Sequence, residues 1–173
     1  MPLKVALWDS NTKTWTTEGV ENVKLEKDGR SLEFKIVKLA PLSFVIDRCI
    51  DFPYKGWYIR CTELDKALLD LVTKRERFIF EITPGEVKLI ERNEASFAHI
   101  VGKPFAPGML LHEMLKCGVN LMPTDEDEKL TGYKCKEKDV EERAIFEIAT
   151  SVNGFAFCSS VWNKLLNPGN KLT

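Results

Sequence analysis

The chain has 173 residues, of which 44% are hydrophobic and 29% are charged, a composition typical of a folded domain. Its 25 basic and 26 acidic residues leave a formal net charge of −1. That balance excludes a general electrostatic attraction to nucleic acid or to an anionic membrane. No apolar run approaches the roughly 20 residues that a membrane span needs. We therefore expect neither nucleic acid nor a membrane as a partner.

The cysteine usage and the first residues indicate a compartment. The five cysteines form an odd set without a CxxC pair, which is typical of a reducing environment. Met1-Pro2-Leu3-Lys4 leads directly into a strand pattern rather than into an apolar leader. From these two features we expect no signal peptide and a cytoplasmic protein.

Residues 1–48 are predicted to form a β unit, because apolar and polar side chains alternate along several short segments. Asp9-Ser10-Asn11 and Asp28-Gly29 mark turns, since short polar side chains and glycine favour tight turns. After Pro41, the mostly apolar residues 42–47 predict an internal strand, with an edge or a bulge at the proline. The predicted strands of this unit are residues 4–8, 14–18, 20–26, 31–37 and 42–47.

Residues 49–173 are predicted to begin with a β-meander. Residues 77–83 alternate strictly between apolar and polar, and their proximity favours a strand for residues 64–73 as well. The leucine spacing of residues 64–73 also fits a helix, which remains the alternative there. The turn Thr83-Pro84-Gly85-Glu86 then leads into a return strand.

The last third changes from strand to helix patterns. Pro107-Gly108 precedes a helical pattern over residues 109–116, and Gly118 is a stop signal. Asp139 is the expected cap of a second helix, with the apolar face listed below. A strand over residues 155–162 then packs back. The predicted fold class is α+β, a mainly antiparallel β-sheet or sandwich with two helices and a returning strand in the C-terminal third, around one shared core. The expected apolar face of the second helix carries Ala144, Ile145, Ile148 and Ala149.

The sequence offers little catalytic or metal-binding chemistry. It lacks a P-loop, a G-x-G-x-x-G and a G-x-S-x-G motif. The two histidines, His99 and His112, leave few options for a metal site, and His112 and Cys117 lie off helical ligand spacing. We predict no catalytic residue, metal or cofactor. The alternative is a small-ligand or enzymatic domain with a pocket near residues 99–117, in which His112, Cys117 and Glu113 would converge.

Two features predict contacts with a protein partner. Trp8, Trp15 and Trp57 are expected in the core, as is usual for large aromatic side chains in β proteins. Trp162 is instead a candidate anchor for a partner, because aromatic residues are enriched in binding hot spots. The other candidate is a run of acidic residues predicted to form a solvated loop. That run is Asp125, Glu126, Asp127 and Glu128.

Several aromatic motifs carry a resemblance to a known family. Trp8-Asp9 and Trp15-Thr16-Thr17-Glu18-Gly19 are followed by Leu39-Ala40-Pro41-Leu42 and Asp47-Arg48. Together with Phe52-Pro53-Tyr54 and the terminal Phe155-Ala156-Phe157, these motifs resemble the C-terminal domain of the cancer-susceptibility-candidate-1 family. Those proteins are longer, axonemal and intermediate-chain-like. The resemblance implies a noncatalytic docking module at the inner dynein arms of motile cilia, with axonemal dynein chains and tubulin as partners.

The same first segment is similar to a second group of proteins. Trp8-Asp9, Trp15-Thr16-Thr17-Glu18-Gly19 and Leu42-Ser43-Phe44-Val45 resemble the autoproteolysis region of adhesion receptors. In that region a histidine activates a hydroxyl within a His-Leu-Ser/Thr tripeptide. Here the aligned tripeptide is Ala40-Pro41-Leu42, which has neither base nor nucleophile. Residues 1–48 are thus expected to form an inactive autoproteolysis-type subdomain.

Overall fold

The computed structural model describes residues 3–92, 94–127 and 137–160. The predicted α+β class is confirmed: the strands pair antiparallel, and the described part of the chain contains two α-helices. The chain divides into a compact unit that ends at Asp47 and a second unit that begins at Arg48.

In its described residues, the first unit contains five short strands that form two separate sheets. A three-stranded sheet has the order β2-β1-β5, and β3 and β4 form a hairpin of their own. Val5 and Leu7 of β1 lie opposite Phe44 and Leu42 of β5, and the middle of β1 is buried. The strands are β1 (Lys4–Asp9), β2 (Thr14–Thr16), β3 (Val20–Leu25), β4 (Leu32–Ile36) and β5 (Leu42–Val45).

The prediction that the strand after Pro41 is internal was wrong. In the described residues, β5 pairs with β1 alone and lies at the edge of its sheet. Its side chains Leu42 and Phe44 remain exposed. A run of apolar residues does not reveal how many strands pair with it, because pairing depends on distant segments of the chain.

The second unit contains an antiparallel sheet of five strands in the order β10-β6-β7-β8-β9. Four of them form the predicted meander, and the strand preferred over a helix for residues 64–73 is confirmed as β7. Tight turns at Asp65 (φ 58°) and Gly85 (φ 79°) connect neighbouring strands. The strands are β6 (Gly56–Glu63), β7 (Lys66–Val72), β8 (Arg77–Thr83), β9 (Glu86–Leu89) and β10 (Phe157–Cys158).

One face of this sheet forms the core of the second unit. Leu71 lies opposite Phe78 and Leu69 opposite Phe80, so these side chains share a face. Helix α1 (Pro107–Lys116) contributes buried Leu110 to the same cluster. The rest of the cluster comes from β9, from a 3-10 turn and the residues beside it, and from α1 and the segment that follows it. Its members there are Val87, Leu89, Phe97, Ile100, Met114, Val119 and Leu121.

Helix α1 ends at Lys116 as predicted, but it starts at Pro107 and not at Met109. It begins at Pro107, where a missing backbone N–H costs nothing. The chain leaves the helix at Cys117 and turns at Gly118, whose φ of 81° suits glycine.

Helix α2 (Lys138–Ser151) exists as predicted, but its start differs. Glu137, not Asp139, occupies the N-cap position, and it makes no side-chain capping hydrogen bond. Asp139 lies in the first turn, where a negative charge still interacts favourably with the helix dipole. Strand β10 returns to the sheet beside β6, with Phe157 opposite Ile59. The last two residues of the predicted strand lie outside the described residues.

Candidate interaction surface

The acidic run at 125–127 separates into exposed and buried members. Asp125 and Glu126 are exposed. Asp127 is only 4% exposed. Its carboxylate accepts a hydrogen bond from the Thr124 backbone N at 2.7 Å and pairs with Arg48 Nε at 3.0 Å. The hydrogen bond from the Thr124 backbone N–H lowers the pKa of Asp127, and the Cys49 thiol and the Arg48 charge lower it further. The carboxylate thus holds its own segment in place.

A local signal for this burial is present in the sequence. Thr124 stands three residues before Asp127, which is the spacing of a capping box, where an acidic side chain accepts from the earlier backbone N–H. Partner binding by Asp125 and Glu126 stays a prediction. Glu128 and Trp162 lie outside the described residues.

A buried ion pair fixes the segment that precedes the acidic run. Asp51 is fully buried and accepts from Arg75 Nε at 2.8 Å and Nη2 at 2.9 Å. The same carboxylate accepts from the Asn120 backbone N at 3.0 Å. Asn120 in turn donates from Nδ2 to the Arg48 carbonyl at 2.9 Å. These bonds join residues 48–51 to residues 118–120 and so position Thr124 and Asp127.

Among the described helices and strands of the second unit, helix α2 is the most exposed. None of its 14 residues is buried. Val140 and Ile145 are more than half exposed, and Ile148 is half-buried. The apolar face predicted from helical periodicity therefore exists, but most of it faces solvent. An exposed apolar face of this kind is typical of a contact site for another chain.

The first unit presents a smaller aromatic surface. Trp8 and Trp15 lie opposite each other in neighbouring strands, with ring centroids 5.3 Å apart in an edge-to-face arrangement. Trp15 is 47% exposed, so the prediction that it is a core residue was wrong. The short strand β2 lies at the edge of its sheet, and an edge strand leaves part of a large ring uncovered. Trp57 packs against the core of the second unit, as predicted.

The residues of the enzymatic alternative are engaged in separate contacts. Glu113 pairs with Lys116 Nζ at 2.7 Å and with His99 Nε2 at 3.4 Å. The bond from Lys116 lowers the pKa of Glu113. Cys117 donates from Sγ to the Ser96 carbonyl at 3.1 Å, and His112 is exposed.

The Cys117 thiol also lacks the environment of a nucleophile. Burial, with a contribution from the Glu113 charge, raises its pKa, whereas reactive thiols have a lowered pKa. Within residues 3–92, 94–127 and 137–160, no three His, Cys, Asp or Glu side chains are placed to hold a metal ion. The arrangement does not favour the small-ligand or enzymatic alternative.

Comparison with known proteins supplies a relationship. No family model matches the chain. The chain is 28% identical over 164 residues to dynein axonemal intermediate chain 7 of Bos taurus, and the aligned region covers 92% of the chain and 23% of that protein. It is 27% identical over 168 residues to the Homo sapiens protein of the same name, covering 94% of the chain and 23% of that protein. The homolog from Ciona intestinalis is 26% identical over 163 residues, covering 92% of the chain and 22% of that protein.

These similarities support an axonemal dynein intermediate-chain-like relationship. Because they cover more than nine tenths of the chain, they include parts of both structural units. The chain spans less than a quarter of the length of these relatives. Among the described helices, none is long and apolar enough to cross a bilayer.

Proposed function

We propose that the chain is a noncatalytic assembly or docking module of an axonemal dynein-associated protein in motile cilia. The supporting observation is the similarity to dynein axonemal intermediate chain 7 over 92% or more of the chain, from three animals. We further propose that the chain corresponds to the C-terminal domain of the cancer-susceptibility-candidate-1 family, as the aromatic motifs of the sequence suggest. Its partners are axonemal dynein chains and tubulin, and its place in the cell is the cytoplasm and the axoneme.

The exposed faces described above agree with a docking role. A module that joins other proteins needs surface for contact rather than a reactive centre, and α2 presents exposed apolar side chains. His99 and Glu113 pair with each other, whereas Cys117 donates to the Ser96 carbonyl, and this arrangement does not favour the enzymatic alternative.

Affinity capture from ciliated cells tests this function. The full chain carries a tag, and the captured proteins are identified by mass spectrometry against a tag-only control. We expect axonemal dynein chains to be enriched with the tagged chain. Recovery of no dynein-arm component above the control would overturn the proposal.

Tubulin needs a separate test, because it is an abundant contaminant of captured samples. The purified chain is centrifuged with microtubules assembled from purified tubulin, and the pelleted fraction is measured. Pelleting that saturates with tubulin supports a direct contact. A chain that stays in the supernatant at every tubulin concentration excludes tubulin as a direct partner.

A further inference from the structure

The exposed side of helix α2 has an ordered pattern of apolar side chains. With 3.6 residues per turn, the apolar residues of this helix fall on one stripe along its side, apart from Phe146. Ile145 is 61% exposed, and Phe146, which points away from the stripe, is 67% exposed. We call this set the α2 stripe. Its members are Val140, Ala144, Ile145, Ile148 and Ala149.

Acidic side chains border the α2 stripe on both sides. By helical spacing Glu147 lies beside Val140 at one edge, and Glu142 lies beside Ala149 at the other. Glu141 lies within the stripe itself. The helix carries four acidic and two basic side chains. Lys138 is the basic residue on the stripe side, and its Nζ lies 3.8 Å from the Glu142 carboxylate.

We propose that the α2 stripe binds an amphipathic helix of a partner protein whose apolar face is bordered by lysine or arginine. Helix-in-groove contacts of this kind bury apolar side chains at helical spacing. Basic side chains at the edges of the incoming helix complement Glu142 and Glu147. A second copy of α2 fits less well, because it brings acidic edges together. The inference rests on the proposed docking function and names the surface and the partner chemistry for it.

A synthetic peptide provides a direct test with the full chain. The probe is a fluorescent helical peptide with leucines on one face and lysines at its borders. The control peptide has glutamates in place of the lysines. Fluorescence anisotropy measures the affinity of the chain for each peptide at low and at high salt. We expect the lysine peptide to bind at least about tenfold more tightly, and to weaken as salt screens the charges.

Two matched substitutions locate the contact on the helix. Ile145→Asp places a charge within the α2 stripe, and Phe146→Asp places the same charge at a neighbouring exposed position outside it. Both positions are exposed, so both variants should fold, which circular dichroism checks. We expect Ile145→Asp to weaken binding of the lysine peptide by about tenfold or more. Phe146→Asp should weaken it by no more than about twofold.

A charge reversal tests the chemistry of the edges. The double variant Glu142→Lys with Glu147→Lys should prefer the glutamate peptide over the lysine peptide. Three results would overturn the inference. They are equal binding of both peptides, an equal loss in the Ile145 and Phe146 variants, and a dimer in sedimentation that Ile145→Asp dissociates.

Capture from ciliated cells separates failure of this surface from failure of the function. If the unmodified chain and the Ile145→Asp variant recover dynein chains equally, the α2 stripe is not the docking surface but the docking function stands. If the peptide results hold while no dynein chain is recovered, the surface stands and the axonemal assignment fails.

Discussion

The guanidinium of Arg75 lies against the buried carboxylate of Asp51, with Nε 2.8 Å from Oδ1 and Nη2 2.9 Å from Oδ2. Arg75 Nη2 also donates to the Gly118 carbonyl at 2.8 Å. The pair therefore connects the turn after β7 to the segment after α1 and to the residues that precede β6. Two parallel hydrogen bonds give such a pair a defined geometry as well as energy.

Removing the carboxylate of this pair should destabilise the protein strongly. Asp51→Ala leaves a largely buried guanidinium without its counter-charge and the Asn120 backbone N–H without its acceptor. We expect a loss of about 3 kcal/mol in the free energy of unfolding, because breaking a buried pair from one side costs that order. Urea unfolding at neutral pH, followed by circular dichroism, measures the change.

The pair of Arg77 with Asp70 is the matched control. It is also bidentate, with Nε 2.7 Å from Oδ1, but the Arg77 side chain is 62% exposed. Asp70→Ala should therefore cause a much smaller loss than Asp51→Ala, since water solvates the guanidinium that remains. Equal losses in the two variants would contradict the structural role assigned to Asp51.

Helix α1 packs on the sheet through one side only, and neighbouring substitutions should show it. Met114 is fully buried, whereas Leu115 is 43% exposed. Met114→Ala should lower the free energy of unfolding by about 2–5 kcal/mol, as is usual for a cavity in a packed core. Leu115→Ala should lower it by less than about 1 kcal/mol. A larger loss at Leu115 would mean that the helix is rotated about its axis.

Tyr54 should make the protein sensitive to alkaline pH. Its hydroxyl donates to the Leu121 carbonyl at 3.1 Å, and burial together with the Asp51 charge raises its pKa to about 12 from 10.0. The folded state therefore holds the phenol proton more tightly than the unfolded chain. Its contribution to stability is complete below pH 10 and is lost as the pH rises towards 12.

A comparison of urea midpoints at about pH 8 and about pH 11 measures this contribution. Tyr54→Phe cannot ionise, so we expect its midpoint to fall less between the two pH values than that of the unmodified chain. The variant should be less stable at the lower pH, because it loses the bond to Leu121. An equal fall of the urea midpoint in both proteins would refute the raised pKa of Tyr54.

Asp127 should contribute to sensitivity at the acidic end. Its pKa in the folded chain lies below the value of the unfolded chain, chiefly because the Thr124 backbone amide binds the ionised carboxylate. Its contribution is present above the unfolded pKa of about 3.9 and is lost as the pH falls through the folded pKa. Asp127→Asn should therefore lose less stability than the unmodified chain between neutral pH and pH of about 3.

Asp125→Asn controls for a general effect of removing one acidic charge. Asp125 belongs to the same run but is exposed. This variant should lose as much stability on acidification as the unmodified chain does. If it follows Asp127→Asn instead, the charge of the whole run, and not the bond to Thr124, is responsible.

The elements of the second unit follow from local patterns. Alternation predicted β8 and favoured a strand at β7, and Pro107 and Gly118 marked the ends of α1. These signals are local, since strand periodicity, a missing N–H and a positive φ act within a few residues. The sequence alone also predicted the apolar side of α2, because helical spacing is a property of neighbouring turns.

Pairing and burial required the tertiary structure. Asp127 stands in a run of acidic residues, yet its carboxylate is buried by Arg48, 79 positions earlier in the chain. Trp15 and Trp57 were both predicted to be core residues from their strand patterns. Trp15 lies on the edge strand β2 of its sheet, whereas Trp57 packs against the core cluster of the second unit. Whether an aromatic ring or a carboxylate meets solvent depends on which distant segment packs on it.

Sequence patterns were sufficient to predict the α+β class, the meander and both helices, and they showed no familiar catalytic motif. The packing of distant segments determines that the apolar side of α2 stays exposed while that of α1 is covered by the sheet. The two helices have the same kind of amphipathic pattern. Their difference arises because burial is a free-energy gain that needs a partner surface, and the amino-acid pattern of one helix does not specify whether its own chain or another protein provides that surface.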